Sequence, residues 1–453
     1  MRGFLAVSLV VVSLVLDGCG GCGDDGKGKQ LPDAPMPIDM MPDMPPDMMA
    51  LTVALTITNL GSPVPNVTVY FVNADDSVAK SAVTDATGTA STVMAAGGSV
   101  TAIDPFAAVN PVAPSPAGGI TGPELRTFLG VKPGDHLFLT RAIDQVSIPL
   151  NVPAVEGANR YSLFSTCGSQ FSIIPGGGSG SGTSVILENC HGGADIAILA
   201  ISHNGESPDE GIAGLYHADA TVMDGHEIDL SGDEYQALTN LTFTFTNTPD
   251  ATLDVQHAPI AKHGAIGPFP VDMSGPSGAI QEPTLTGVTK AVVDMVLVTN
   301  TRHEVVDWGA YTANYTLDLG SVLLSEFTAG PSFDLATSKL SWTEDGAGAT
   351  ADLSMVSAVF QRTEPNFKQW HWALAAPHPA ATEIKLPKLP TDLFDWNPTT
   401  GDSVTPGPVT NAKLPGGYDA VRAHIFDIVE RGRFSDYVAG ASGRAVIAVS
   451  ALP

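Results

Sequence analysis

The sequence predicts an all-β protein: a row of two to four β-sandwich domains held behind a signal peptide and a disordered tether. Three observations carry that expectation. From residue 51 onward apolar and polar residues alternate in short runs, the period of a half-buried strand rather than of a helix. Turn-forming Gly, Pro, Asn and Asp clusters break these runs at intervals of about eight to twelve residues, the spacing of sandwich strands. Only 15% of the chain is Asp, Glu, Lys or Arg, against 47 glycines and abundant Thr, Val and Ala.

The chain opens on Met1-Arg2 and an apolar run from Phe4 to Leu16. A spanning helix needs roughly 20 apolar residues, so this run predicts a signal peptide over residues 1–18. Residues 19–50 follow, with GGCGDDGKGK and then PDAPMPIDMMPDMPPDMM. Dense prolines remove backbone donors, and Asp24, Asp25, Asp33, Asp39, Asp43 and Asp47 repel one another, so the segment is expected to remain an extended tether. Its methionines also match the chemistry of a soft-metal site, although a Pro-Asp-Met repeat explains them without one.

Leu16, Gly18 and Cys19 resemble the lipobox of bacterial lipoproteins, with an aliphatic residue three before the cysteine and a small one directly before it. Asp17 departs from that pattern. The resemblance implies lipidation of Cys19, a membrane partner through that anchor, and export, with Gly20 pointing toward the outer membrane. An ordinary secretory signal with an incidental cysteine is the alternative.

The formal charge of −27 arises from 21 Lys plus Arg against 48 Asp plus Glu. Without basic patches the chain has no footprint for nucleic acid or anionic headgroups. Cys167 and Cys190, with 22 residues between them, are the only cysteines beyond the anchor region. In an exported chain they predict one disulfide, stabilising by about 3 kcal/mol in the chain-entropy model. A metal site there would need more than His191 to complete it.

Residues 51–144 read as the first sandwich. LTVALTITNLG and NVTVYFVNADD alternate cleanly, and SAVTDATGTASTVMA and GGSVTAIDP follow. Pro63 to Phe71, then Thr84-Asp85 with Gly88-Thr89-Ala90, then Gly98 to Ala102, resemble bacterial Ig-like and carboxypeptidase-regulatory-like domains over residues 51–103. The resemblance implies an Ig-like sandwich in which the Thr-Asp-x-x-Gly turn reverses a hairpin, and a spacer or binding platform without catalytic residues. TFLGVKPGDHLFLT reads as a return strand or small insertion.

Residues 145–255 are expected to form a second sandwich, closed by LTNLTFTFTN. Its loop GGGSGSG, Gly176 to Gly182, lacks the Gly-Lys-Ser/Thr ending and the following helix of a phosphate cradle. Residues 256–453 predict one or two further sandwiches and a short helix near Ile425 to Glu430.

The candidate site residues lie in this last region. Trp370 and Trp372 share one face of a strand. Exposed, together with His378 and with Trp308 and Trp396 from elsewhere in the chain, they would stack on sugar rings; buried, they are core. His257, His263, His303, His371 and His378 show no metal-ligand spacing, no nucleophile elbow is present, and no catalytic residue, metal or cofactor is expected. The reading is therefore a non-enzymatic envelope lipoprotein for spacing, adhesion or recognition of a surface glycan or protein. A glycan-binding module and an extracytoplasmic hydrolase of unrecognised type are the alternatives.

Overall fold

The computed structural model describes residues 51–450 apart from residue 60 and residues 105–121, 142–144, 170–171, 176–182, 189–191, 203–209, 364–366, 392–395 and 432–441. The signal run, Cys19, the tether, the Gly176 to Gly182 loop and Cys190 lie outside the described residues. Thirty-three strands, two short α-helices and one 3-10 turn make up the described chain. It is an all-β protein of tandem sandwich units.

In the first unit, Thr52–Asn59 pairs with Ser62–Pro63, Thr89–Val93 and, in parallel, His136–Thr140. Alternation buries Val53, Leu55 and Ile57 against Val69, Phe71, Val100 and Phe128 of a second sheet. The Thr84 to Thr89 turn is not a hairpin, because Val78–Val83 pairs with Thr68–Val72 and Thr89–Val93 belongs to the opposite sheet. It is a corner between layers. Asp85 Oδ1 accepts the Thr87 and Thr89 amides, and buried Thr84 donates to the Val64 carbonyl.

The second unit packs sheet Ser172–Pro175, Arg160–Ser165, Gly192–Ser202, Glu210–Val222 on a sheet built around Gln145–Asn151 and Thr183–Glu188. Ile148, Leu163, Ile196, Ile198 and Leu215 fill the space between them.

Thr239–Thr246 does not close this unit, as its alternation suggested. It pairs with Ser277–Glu282 and, in parallel, with Asn314–Asp318, which makes it part of the third unit. Alternation reports that a strand has one buried face; it carries no record of which sheet the strand joins. Phe243 and Phe245 bury that face with Val255, Met295 and Val305. A fourth unit sets Phe327–Asp334, Lys339–Glu344 and Glu383–Lys385 beside Leu353–Arg362 and Lys368–Pro377, with Phe333 edge-on to Phe360.

Residue 255 falls inside the strand Thr252–Ala261, and the first unit is not an independent bead. One 14-stranded sheet runs through three of the four units. From one side it contains Thr252–Ala261, Lys290–Val298, Arg302–Ala310, Gly443–Val449, Thr410–Lys413, Leu353–Arg362, Lys368–Pro377, Glu124–Val131, Gly98–Asp104, Thr68–Val72 and Val78–Val83. Its least expected junction is the parallel pairing of Lys368–Pro377 with Glu124–Val131, from His371 opposite Glu124 to Ala375 opposite Phe128. Strands covered on both faces read as continuous apolar runs, as in the wholly buried Ala445-Val446-Ile447-Ala448.

Two further contacts hold the units in place. The helices Gly417–Val421 and Ile425–Arg431 lie against the first unit: the Tyr418 hydroxyl donates to the Leu129 carbonyl at 2.8 Å, Phe426 meets Phe128 edge-on, and Arg422 forks onto both Asp135 oxygens at 2.8 Å. The second unit docks on the third through Phe164 and Phe269, with ring centroids 4.0 Å apart. Gly214 is pressed there so closely that a methyl on it would lie 2.5 Å from Pro283 Cα.

Candidate functional site

Chemistry-bearing side chains gather where Lys339–Glu344 of the fourth unit faces the central sheet. Leu353–Arg362 presents Ser354, which lies opposite Ala376 on one neighbour and Asn411 on the other. Just beyond Pro377, His378 returns over this strand, its amide bonded to the Asp352 carbonyl at 3.0 Å. Trp342 and Glu344 arrive from Lys339–Glu344 in the facing sheet. Ser354 Oγ lies 2.8 Å from His378 Nδ1, and His378 Nε2 lies 4.0 Å from Glu344 Oε2.

Serine, histidine and glutamate in this order suggest a nucleophile, its base and the base's orienting group. The hydrogen-bond directions refute that reading. The Ser354 hydroxyl donates to Asn411 Oδ1 at 2.6 Å, and a hydroxyl has one proton to give. His378 Nδ1 must then donate to Ser354 rather than take its proton. Asn411 Nδ2 passes the polarity on to Glu344 Oε1 at 2.7 Å, where Trp342 Nε1 also donates at 2.5 Å. The chain of donors runs from His378 to the Glu344 carboxylate, opposite to what general-base activation of Ser354 needs. Ser354 and Asn411 are also buried, which closes the hydroxyl to substrate. What this arrangement can do is satisfy polar groups while cross-linking three strands and two sheets.

The tryptophans are placed differently from a sugar platform. Trp370 and Trp372 are both 0% exposed, so neither offers a ring face to a ligand. Trp372 donates to Thr127 Oγ1 at 2.8 Å across the parallel junction. Trp370 stacks on Phe360 at 5.3 Å and has the Arg362 guanidinium over it, itself held by both Asp402 oxygens. The physical reason is that this sheet is covered on both faces, so the side that alternation alone leaves open is filled here by the fourth unit. Trp308 is buried as well, and Trp396 is partly buried against Trp370.

The histidines are dispersed. His257 is buried with Nδ1 2.9 Å from Glu282, which also accepts the Tyr311 hydroxyl at 2.5 Å. His303 is buried, and burial pushes its pKa down against the opposing pull of Glu326 and Asp345. His371 faces Glu124 across the parallel junction. Burial alone would raise the Glu124 carboxyl, but the His371 ring and the Arg126 guanidinium outweigh it and bring it to about 2. Among the described residues no three His, Cys, Asp or Glu side chains come together as metal ligands.

A second polar centre joins the second and third units. Asp195 is 0% exposed; its two oxygens accept the Asp219 amide at 3.0 Å and the His263 amide at 2.8 Å. Asp219, held in the left-handed region at φ 62°, binds the His263 ring at 2.6 Å and Lys262 at 2.7 Å. Neither Asp195 nor Ser354, Asn411 and Glu344 stood out in the sequence, since single polar residues within apolar runs have no spacing signature. Cys167 is buried beside the second unit's core.

No family model matches this chain, and no curated protein matches it. Among solved structures it is similar to a candidate cell adhesion protein from Bacteroides uniformis, at 8% identity over 39% of this chain and 93% of that one, with a TM-score of 0.15. It is also similar to the Bacillus anthracis TIE protein, at 10% identity over 59% and 49% with a TM-score of 0.14. A tetra-tandem repeat from the extending region of a large adhesion protein matches at 13% identity over 80% and 95%, with a TM-score of 0.12. Likenesses this remote carry no inference about activity.

Proposed function

We propose that this chain is an exported envelope lipoprotein whose tether carries a rigid β array for adhesion or recognition outside the cytoplasm. The observation that carries the reading is the continuous central sheet, which fuses sandwich units into one stiff body behind a Pro-Asp-Met spacer. A Pro- and Asp-rich spacer followed by a continuous sheet suits presentation of a surface at a distance from a membrane. Cys19 is the residue assigned to the anchor, and the outer membrane is its proposed place. Partners of this reading are the membrane and a surface glycan or protein; the face that meets them is distinct from buried Trp370 and Trp372.

Pairing of Cys167 with Cys190 belongs to the same proposal. Cys167 is buried beside the second unit's core, and its neighbour Gly168 lies opposite Glu188, two residues before Cys190 in the sequence. A bridge there would suit an oxidising compartment.

Protease shaving of intact cells, read by mass spectrometry of released peptides, tests the location. Peptides from residues 51–450 released without lysis are expected. Their release only after lysis would sink adhesion and leave an internal scaffold. A Cys19→Ser chain should leave the membrane fraction; its retention there would remove the lipid anchor from the reading.

A further inference from the structure

We infer that Gly443–Val449 is a separable fastener, and that the gap between Arg302–Ala310 and Thr410–Lys413 is a groove that reads one β-strand by sequence. On one side of this gap lies the part of the central sheet made by residues 252–310. On the other lie the strands of residues 353–413 and, through the parallel junction, the first unit. Arg302–Ala310 and Thr410–Lys413 do not pair with each other; Gly443–Val449 is bonded to both. It matches the first along seven positions, from Val449 opposite Arg302 to Gly443 opposite Trp308, and the second along four.

Main-chain pairing of this kind accepts any strand, so specificity must come from the side-chain pockets. Four features here are specific. A methyl on Gly443 would sit 2.3 Å from Trp308 Cζ2, so only glycine fits at the start. Arg444 Nε donates to Asp307 Oδ1 at 2.7 Å. Ala445 and Ile447 enter the cluster shared with the helices, while Val446 and Ala448 enter the cluster of the third and fourth units. Ser450 closes the far end: its hydroxyl accepts the Val409 amide and its own amide donates to the Val409 carbonyl, both at 2.9 Å. A slip of one residue would exchange the two faces and drive Arg444 against Trp308.

The test begins with the full-length chain carrying a protease recognition sequence between Ala441 and Ser442. After cutting, the 442–453 peptide should stay with the protein through gel filtration and exchange with a labelled synthetic copy. Labelled peptides with Gly443→Val or Ile447→Asp should bind at least about 100-fold more weakly, from the clash and from a carboxylate in an apolar pocket. Equal binding of either variant would overturn sequence reading by the groove. Loss of the peptide with unchanged amide protection in Arg302–Ala310 and Thr410–Lys413 would overturn its role as a fastener. General unfolding on cutting would show that the strand is not separable.

Discussion

Replacing Trp372 by alanine should loosen the junction between the first unit and the rest of the molecule. The indole is 0% exposed, and its N–H donates to Thr127 Oγ1 at 2.8 Å across the parallel junction. Truncating a buried tryptophan costs about 3–5 kcal/mol through lost transfer energy and the cavity left behind. The lost hydrogen bond adds about 1 kcal/mol; Thr127 keeps its 2.8 Å contact with Thr101 and so is not orphaned. About 4–6 kcal/mol is a large part of the roughly 5–15 kcal/mol available to a domain. Trp372→Phe should cost less, and a double-mutant cycle with Thr127→Val should give a coupling of about 1 kcal/mol. Urea unfolding combined with hydrogen exchange of Glu124–Val131 and Lys368–Pro377 reads the effect locally, which matters because several units preclude a single two-state transition. A Trp372→Ala protein with wild-type protection in both strands and reduced binding to a glycan array would refute the buried junction and restore the sugar platform.

Two predictions concern pH and one concerns the joint between units. Burial, reinforced by the Glu304 charge, raises the Asp294 carboxyl well above its ordinary value, and burial raises Glu304 too. Folded values above unfolded ones mean that this stability is fully present below about pH 4 and is lost as pH rises toward the folded values. Asp294→Asn should therefore raise the melting temperature at pH 7, with the difference shrinking on acidification; no change at pH 7 would contradict it. Glu124 has the opposite sign: moved from 4.5 to about 2, it supports the fold above pH 4.5, and that support is lost as pH falls through about 2. A shift of this size corresponds to roughly 3 kcal/mol, so Glu124→Gln should lower the neutral-pH melting temperature and flatten the acid limb. Asp195→Ala strands two amides and should cost about 2–4 kcal/mol; amide exchange at Asp219 and His263 should quicken before the second unit's own core loosens. Unchanged exchange there would show that Asp195 does not hold the joint.

The sequence by itself determined the fold class and most of the strands. A period of two is a local property, and runs such as LTVALTITN and LTFTFTN must bury one face wherever they settle. It also supplied the helix beginning at Ile425. Partner choice was decided only in the tertiary structure. Thr239–Thr246 went to the third unit, Thr89–Val93 crossed to the other sheet, and Gly443–Val449 entered the middle of a sheet begun at Thr68, because long-range pairing depends on which edges are open when the chain returns. Exposure was likewise undecidable from alternation: Trp370 and Trp372 share a face in any strand, and only a covering fourth unit makes that face core. The same limit applies to Ser354, His378, Asn411 and Glu344. Their residue types allow a catalytic site, and only the direction of each hydrogen bond, fixed by strands distant in sequence, makes them a cross-link.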